Sequence, residues 1–401
     1  MSACLLGAFA PPAHATHVLV EPGNLSAYQT IQEALNAQAA VFGAIETVLV
    51  APGVYPESLV VRDVYEPQTR LIGTGGALQT RVRTLRYGHT DRAFAIEGLT
   101  FDEPVVSISE SPGHPDRPPV FRNCVFESGA NFGAYPCAAP NLFDCTFRGN
   151  TVLYSYTTAG QPGFSGLRFE HCRLTVTAIC GILKFSDCVF TGAPDTAIVF
   201  QSLPENMITF ERSVIESTEV GFATNSSETA LRLLDCDVRD VGIGLDLYTP
   251  ISRQNWTELT LSRTDFDRVG RAVRTTSPWA LYVDHVNVRD CAGPAFDAKT
   301  ARATIFAVSI ERAGAGLLLQ GVNPTWPSGA TFFGASLDSC VVSDVQGDGI
   351  RVIAVPTTSG RVRVHRATVS DVAGRGIFLN AHGVTVMRTR SCTTCRATAS
   401  R

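Results

Sequence analysis

The chain has 401 residues, of which 45% are hydrophobic and 17% charged, so it can bury a large core and is not expected to be disordered. Its formal net charge is −4, and no acidic or basic block is longer than a few residues. Recognition of nucleic-acid phosphates needs a clustered basic surface, so we predict no nucleic-acid partner. Lysine is rare: Lys184 and Lys299 are the two lysines among the 33 basic residues.

The N-terminus has the pattern of an export signal. An apolar run at residues 3–10 precedes Ala13 and Ala15, which fit an A-x-A cleavage site, so we predict a signal peptide at residues 1–15. No positive residues precede the apolar run, which is compatible with a start further upstream. No later stretch has the ~20 apolar residues of a membrane span. The predicted location is secreted, at the cell surface or in the periplasm.

Residues 16–78 are predicted to form a cap and the first coils of the fold. Ile31, Ala34 and Leu35 recur at helical spacing, and Ser26 fits an N-cap position. Strand-like segments rich in valine and leucine follow this helix. The helix would cover the open end of a strand solenoid, whose unpaired edges otherwise promote aggregation.

A short motif recurs from residue 121 onward and indicates the fold. It has the form apolar-x-polar-Cys-x-apolar, and its twelve copies begin at residues 121, 142, 169, 185, 210, 233, 261, 283, 305, 337, 364 and 386. Repeats of this length are typical of solenoids. The enrichment in valine, isoleucine, phenylalanine and threonine, in short apolar runs, favours strands over helices.

We therefore predict an all-β fold, a parallel β-helix of about a dozen three-strand coils over residues 79–401. The third motif position marks a bend, because Asn, Asp and His tolerate a left-handed backbone; it holds Asn123, Asp144, His171, Asp187, Asp235 and His285. A further strand follows a glycine turn in each coil, as in VGIGLDLY at 241. The last coil has no amphipathic cap, so either the Cys392/Cys395 segment covers it or the chain continues.

Two residue columns of the repeat are predicted to be structural. Six cysteines share one inward position and are expected to form a buried thiol stack: Cys124, Cys145, Cys172, Cys188, Cys236 and Cys340. Disulfides between in-register neighbours, Cys124/Cys145 or Cys172/Cys188, remain an alternative. Four residues after this position come Asp240, Arg268, Asp290, Arg312, Asp344 and Asp371, which predict an outward salt-bridge ladder.

The N-terminal region resembles a known family. YQTIQEALNA, VLVAPGVYPESLVV, LIGTGG and the GLTF at 98–101 look like the opening of pectin methylesterases, within the pectin-lyase-like superfamily. The resemblance covers roughly the first hundred residues; beyond them the general β-helix pattern continues. It implies a right-handed helix and an extracellular role on polysaccharides, often a uronic-acid polymer. It also implies a substrate groove along the outside of the strand that follows the glycine turn.

The catalytic motifs of that family are absent from this chain. The glutamine-bearing motifs, the DFIFG-like segment and the LGRPW-like segment have no counterpart. LYVDHVNV at 281 resembles a pectate-lyase segment, and Asp348 lies in a GDGI sequence similar to polygalacturonases, but both fit the repeat pattern. Whether the protein is an enzyme therefore stays open, and pectinesterase activity is disfavoured.

Candidate site residues lie on the predicted groove. Asp246 and Arg274 fall on consecutive coils, so a carboxylate and a guanidinium would be neighbours, which suits either catalysis and uronate binding or an idle surface pair. Residues predicted to bind substrate are Tyr248, Trp256, Trp279, Gln320, Trp326 and Arg351. The three tryptophans suit stacking against sugar rings, or pinning loops onto the barrel. Asn380 shares this outward face.

No cofactor and no metal site are predicted. Asp237, Asp265 and Asp267 come from adjacent coils and offer oxygen ligands for calcium, but nearby arginines would neutralise them. The sequence thus indicates an exported β-helix, expected to be monomeric, that binds or modifies an acidic polysaccharide or a cell-surface glycan. The alternative is a non-enzymatic surface or matrix solenoid of the adhesin type.

Overall fold

The structure is a computed structural model of the chain. The residues it describes are 17–40, 47–61, 69–87, 94–107, 119–132, 139–156, 162–201, 206–225, 229–248, 258–321, 333–354, 361–381, 383–387 and 390–391.

These residues form one helix and a series of strands. The helix is α1 (Ile31–Ala40), and the strands, in chain order, are β1 (His17–Val20), β2 (Thr47–Val50), β3 (Gly53–Val61), β4 (Arg70–Gly73), β5 (Thr80–Tyr87), β6 (Ala95–Glu97), β7 (Thr100–Phe101), β8 (Val105–Ser107), β9 (Val120–Arg122), β10 (Val125–Phe126), β11 (Ala130–Phe132), β12 (Asn141–Phe143), β13 (Thr146–Phe147), β14 (Thr151–Tyr156), β15 (Gly163–Ser165), β16 (Arg168–Glu170), β17 (Leu174–Ser186), β18 (Val189–Thr191), β19 (Thr196–Phe200), β20 (Asn206–Glu211), β21 (Val214–Asn225), β22 (Thr229–Leu234), β23 (Asp237–Tyr248), β24 (Glu258–Ser262), β25 (Asp265–Asp284), β26 (Asn287–Phe306), β27 (Ser309–Gly321), β28 (Gly334–Asp338), β29 (Val341–Val345), β30 (Ile350–Ile353), β31 (Arg361–His365), β32 (Thr368–Val372), β33 (Ile377–Asn380), β34 (Gly383–Met387) and β35 (Arg390–Ser391).

The strands stack into three columns, so that each coil has three legs. The first leg runs without a break from β1 to β34, through β2, β4, β6 and their successors. The second leg contains β7, β10 and β13, and the third contains β8, β11 and β14. Longer strands such as β25 and β26 turn through all three legs. All pairings between these named strands are parallel, and the predicted right-handed parallel β-helix is confirmed.

Two corners with left-handed backbone shape most of the coils. The first corner lies between the first and second legs and has positive φ at the predicted bend residues Asn123, Asp144, Asp187, Asp235 and His285, at Arg212, Arg263, Ala307, Ser339 and Arg366, and at Gly98 and Gly166. The second corner lies five residues further on in most coils. It contains all six residues of the predicted charge column, from Asp240 to Asp371, so that column is a second bend as well as an outward surface.

The predicted register of one copy of the motif is wrong. Arg168 pairs with Val189, so Gly166 occupies the first corner of that coil and Leu167 the cysteine position. His171 belongs to the second corner, where its amide donates to Thr191 O at 2.8 Å. FEHCRL resembles the motif because at both corners the left-handed residue stands two positions after a buried apolar residue.

The seven cysteines with described side chains are buried free thiols in two columns. Cys124, Cys145, Cys188, Cys236 and Cys340 share the position after the first corner, with other small or apolar residues in the coils between them. Cys172 does not belong to this column, so the predicted Cys172/Cys188 neighbourhood is wrong. It lies after the second corner, at the position that Cys291 occupies further along. No disulfide joins the seven cysteines whose side chains the structure describes.

The core is a file of aromatic and aliphatic side chains inside the coils. Phe126, Phe147, Phe169 and Phe190 stack on consecutive rungs, with ring centroids 4.6–4.7 Å apart and nearly parallel planes. This separation matches the spacing between strands, roughly 4.8 Å, so each in-register pair comes into contact without distorting the sheet.

Helix α1 covers the N-terminal end, as predicted. Ile31 and Ala34 are fully buried and Leu35 nearly so. The predicted N-cap at Ser26 is wrong: Thr30 caps the helix, its Oγ1 accepting from Glu33 N at 3.1 Å. Glu57 on β3 holds the same helix end, because its two carboxylate oxygens accept from Ile31 N and Gln32 N at 2.9 Å each. In the described part of the chain, no helix has the length and apolar character of a membrane span.

Candidate functional site

The outer surface of the third leg presents two columns of side chains. In the first column, residues Asp246, Arg274, Asp297, Leu318, Arg351 and Phe378 follow one another in register from rung to rung. The second column lies two residues further along each strand and includes Tyr248, Lys299, Gln320, Ile353 and Asn380. We call these two columns, with the residues that lead into them from the second corner, the third-leg face.

Asp246 and Arg274 form an ion pair on this face. They are paired in register, and Arg274 Nε donates to Asp246 Oδ1 at 2.7 Å while Nη2 contacts Oδ2. Both side chains are partly buried, with 24% of Asp246 and 36% of Arg274 exposed. The hydrogen bond with Asp246 raises the pKa of Arg274 above its ordinary value. The structure thus brings together the two residues that the sequence placed on consecutive coils.

A second ion pair extends this cluster, and the sequence did not reveal it. Asp297 is the register neighbour of Arg274 on the next rung, and its Oδ2 lies 3.2 Å from Arg271 Nη1. The pairing of β26 is irregular between Cys291 and Pro294, and this strand lacks the Gly-I-x-L pattern that assigns the outward residues of several other third legs. Its two neighbours Phe296 and Ala298 are both buried apolar residues, and this local alternation would have placed Asp297 on the outer surface.

The predicted binding residues that the structure describes lie on the same face. Tyr248 is 50% exposed at the end of β23, and Gln320 is exposed on β27. Lys299 precedes Gln320 by one rung, is exposed, and forms no ion pair with a described residue. Neighbouring hydroxyl, amine and amide groups therefore face solvent beside the two ion pairs.

Arg351 belongs to a separate cluster near the C-terminal end of the face. Its Nη1 lies 3.8 Å from Asp348 Oδ2, while Arg375 donates to the same carboxylate through its backbone N at 2.9 Å and Nη2 at 3.1 Å. Burial acts to raise the pKa of Asp348, but the hydrogen bonds from Arg375 outweigh it, and the pKa is lowered. The Arg375 guanidinium stacks 3.9 Å above the centre of the Phe378 ring.

The predicted tryptophan platform lies mostly outside the described part of the chain. Trp256 and Trp326 are not among the described residues. Trp279 lies in β25, where its backbone pairs with Thr300, and its side chain is outside the description. The sugar-stacking role of the three tryptophans stays a prediction.

The corner columns and the second-leg surface are ladders of mutual ion pairs. Arg212 binds Asp187, Arg263 binds Asp235 and Arg366 binds Asp338 at the first corner, with Nε–Oδ1 distances of 2.8, 2.5 and 2.8 Å. The predicted second-corner ladder is present for four of its six residues, as Arg268–Asp240 and Arg312–Asp290; Asp344 and Asp371 form no ion pair with a described residue. On the second leg, Arg148 bridges two glutamates and Arg239 binds a third. These charges satisfy one another within the scaffold.

The acidic residues that could suggest calcium are also engaged. Asp237 lies 3.4 Å from Arg239, Asp267 contacts Arg268, and the amide of Asn287 donates to Asp265. Burial raises the pKa of Asp237, which disfavours its charged form. No group of three or more His, Cys, Asp or Glu side chains suited to a metal occurs in the described part of the chain.

Comparisons with known proteins bear on the fold. No family model matches the chain, and no curated protein matches it. Among solved structures it is similar to the catalytic domain of GH87 alpha-1,3-glucanase in complex with nigerose (12% identity, TM-score 0.42, covering 94% of this chain and 69% of that one). It is also similar to the Azotobacter vinelandii mannuronan C-5 epimerase AlgE6 A-module (14% identity, TM-score 0.33, covering 96% and 98%). A likeness at this level carries no argument about substrate or chemistry.

Proposed function

We propose that this β-helix is exported and binds an extended polysaccharide along the third-leg face. The single observation that carries the proposal is the half-buried Asp246–Arg274 pair, which lies among exposed hydroxyl, amine and amide side chains. Beyond their mutual hydrogen bonds, Arg274 keeps its Nη1 donors and Asp246 keeps further lone pairs, so the pair offers donors and acceptors in fixed positions for sugar hydroxyls. Export rests on the signal-like N-terminus.

The periodicity of the face supports a polymer rather than a small ligand. Equivalent positions recur at every rung, about 4.8 Å apart, which is close to the length of one pyranose residue along an extended chain. A polysaccharide parallel to the helix axis would therefore present one sugar to each rung. Tyr248, Lys299 and Gln320 would then contact sugars next to those held by the ion pairs.

The ion pairs of the corners and the second leg support the same location. The charges of the two corners and of the second leg are largely consumed by rung-to-rung ion pairs, most of them exposed. A ligand would have to break such pairs to bind there. On the third-leg face, Lys299 has no ion-pair partner among the described residues, and Tyr248 and Gln320 are exposed, so a ligand can bind these groups without breaking an ion pair.

A second candidate function is a rigid spacer or adhesin that acts through its shape. The observation that favours it is the set of corner ladders, which join successive coils without any ligand. The two candidates predict different behaviour toward soluble polysaccharides, because a spacer has no reason to bind one.

Binding to a panel of polysaccharides tests the proposal. Purified protein is titrated with pectins of varied methylation, polygalacturonate, alginate, chitin oligomers and a neutral glucan, and the products are analysed by mass spectrometry. We expect binding to at least one polymer that weakens about tenfold in Asp246→Ala and is unchanged in Arg263→Gln, a control on the first corner.

New products on the bound polymer would extend the proposal to catalysis, with Asp246 and Arg274 as the candidate catalytic pair. Absence of binding across the panel would contradict the proposal and favour the spacer. Equal binding by Asp246→Ala and the native protein would place the polymer elsewhere.

A further inference from the structure

The cluster around Asp348 carries more positive charge than its own carboxylate neutralises. Arg351 and Arg375 approach Asp348 from the outer columns of β30 and the turn before β33, which gives two guanidinium groups for one carboxylate. Asp348 is 15% exposed, whereas the arginine side chains are 41% and 37% exposed. The surplus positive charge therefore lies at the surface and the negative charge below it.

Arg375 and Arg351 differ in how many of their hydrogen-bond donors have an acceptor. Arg375 donates to Asp348 through its backbone and its guanidinium, and it also stacks on Phe378. Arg351 reaches Asp348 at 3.8 Å, which is beyond hydrogen-bond distance. Its Nε atom is buried and has no hydrogen-bond partner in the structure. One guanidinium of the pair thus lacks the acceptors that its donors require.

An oxyanion is the ligand that fits the exposed part of the Arg351 guanidinium, whose Nε lies below the surface. Carboxylate and sulfate groups have two or three oxygens at the spacing of a guanidinium fork, and they cancel the surplus charge. A neutral hydroxyl can accept one hydrogen bond from Arg351 but leaves that charge in place. The Phe378 ring, held beside Arg375, offers an apolar surface next to the bound group.

We propose that Arg351, supported by Arg375, forms a subsite for the oxyanion group of an acidic polysaccharide, a carboxylate or a sulfate ester. The inference rests on the proposed function, because the polymer would reach this subsite along the third-leg face. Arg351 stands in the same outward column as Asp246, Arg274 and Asp297, with Leu318 between the two clusters. The face would thus hold hydroxyls at one end and an acidic group at the other.

Affinity measurements on matched polymers test the subsite. Native protein, Arg351→Gln, Arg351→Lys and the control Arg263→Gln are titrated with polygalacturonate, a sulfated galactan and a neutral galactan. We expect Arg351→Gln to weaken binding of one acidic polymer about tenfold and leave neutral binding unchanged. Arg351→Lys should recover part of the loss, because it restores the charge without the fork. The polymer that responds identifies carboxylate or sulfate.

Substitution of Asp348 should strengthen binding of the acidic polymer, whereas substitution of Arg351 weakens it. Asp348→Asn keeps an oxygen that accepts from Arg375 N and removes the competing negative charge. It should bind the acidic polymer several-fold more tightly than the native protein. Unchanged or weaker binding by a folded Asp348→Asn protein would count against the subsite.

Titration with single sugars tests the Arg351 subsite independently of the proposed binding of a polymer. The Arg351 Nε–H signal, assigned by its loss in Arg351→Gln, is followed by nitrogen-15 NMR during titration with galacturonate, galactose 6-sulfate and galactose. A shift with an acidic sugar and none with galactose supports the subsite. No shift with either acidic sugar overturns it, whether or not polymers bind. Polymer binding that is indifferent to Arg351 would leave the proposed function standing and remove the subsite.

Discussion

At the scale of single residues, left-handed backbone at two corners closes most of the coils. Most of these positions hold Asp, Asn, Arg or His, and Ala307 is an exception with φ of 51° and no polar side chain. A left-handed conformation costs a residue with a Cβ atom about 1–2 kcal/mol, and polar side chains can offset part of this by local hydrogen bonds. Ala307 has no such compensation.

Substitution of Ala307 therefore tests the corner. We expect Ala307→Gly to raise the free energy of unfolding by about 0.5–1 kcal/mol, because the relief of strain exceeds the added entropy of the unfolded chain. Thr304→Gly, at a position in regular strand, should lower the free energy of unfolding by a similar amount. Guanidinium unfolding measures both. A loss of stability in both variants would contradict a left-handed Ala307.

The buried thiols give stability an alkaline limit. Burial raises the pKa of Cys188 and Cys340 from 9.0 to about 12, and that of Cys236 to about 11. In the unfolded chain these thiols ionise above pH 9, whereas in the folded protein they stay neutral to higher pH. Unfolding therefore releases protons between pH 9 and 11, and the free energy of unfolding falls as the pH rises, by about 1.4 kcal/mol per pH unit for each thiol.

Replacing one buried thiol should remove its contribution to the pH dependence of the free energy of unfolding. Cys188→Val is expected to lose stability less steeply between pH 9 and 11 than the native protein, as measured by denaturant unfolding at each pH. The slope below pH 8 should be the same in both proteins, which is the internal control. Identical slopes at alkaline pH would show that Cys188 is not a buried neutral thiol.

The corners are largely predictable from sequence because left-handed backbone selects a small set of residues. Asn123, Asp144 and Asp235 can be recognised by chemistry alone. The sequence assigns His171 to the wrong corner because the two corners share that chemistry, and only the register with Val189 distinguishes them. Partners such as Arg263 for Asp235 depend on which rungs stack, which a single coil does not specify.

At the scale of elements, stacked aromatic rings tie successive strands together. Phe169 lies between Phe147 and Phe190, with centroid distances of 4.7 and 4.6 Å, and is fully buried. Its removal leaves a cavity inside the solenoid that neighbouring rungs cannot fill, because the strand spacing is fixed by hydrogen bonds.

Phe169→Ala should accordingly lower the free energy of unfolding by about 3–5 kcal/mol, and Phe169→Leu by less. Denaturant unfolding followed by circular dichroism provides the values. The exposed Phe306, which is 38% accessible on the first leg, is the matched control, and its change to alanine should cost under about 1.5 kcal/mol. Equal losses at the two sites would contradict the stacked core.

The third legs show which parts of the site can be predicted from sequence. Strands with a Gly-I-x-L pattern assign Asp246, Gln320 and Arg351 to the outer surface by their spacing alone. The strand that carries Asp297 departs from the pattern at an irregular pairing, so its charged pair with Arg271 cannot be recognised in this way. Patterns of apolar residues fix which side of a strand faces out, but not the contacts between charged side chains of different coils.

At the scale of the whole molecule, charge is unevenly distributed. The chain has a net charge of −4, yet the described residues of the third-leg face from Asp246 to Asn380 include five basic side chains and three acidic ones: Arg271, Arg274, Lys299, Arg351 and Arg375 against Asp246, Asp297 and Asp348. A locally positive surface on an acidic protein favours approach of an anionic polymer at low salt. The solenoid holds this surface straight over many rungs.

Chemical footprinting of the two lysines tests the central claim most directly. Lys299 lies exposed on the third-leg face, and Lys184 lies on the first leg, 52% exposed and paired with Glu211. Acetylation rates of both are measured by mass spectrometry with and without a polysaccharide that binds. We predict that the polymer slows acetylation of Lys299 at least several-fold and leaves Lys184 unchanged. Protection of Lys184 alone, or of neither lysine under saturating polymer, would contradict binding along the third-leg face.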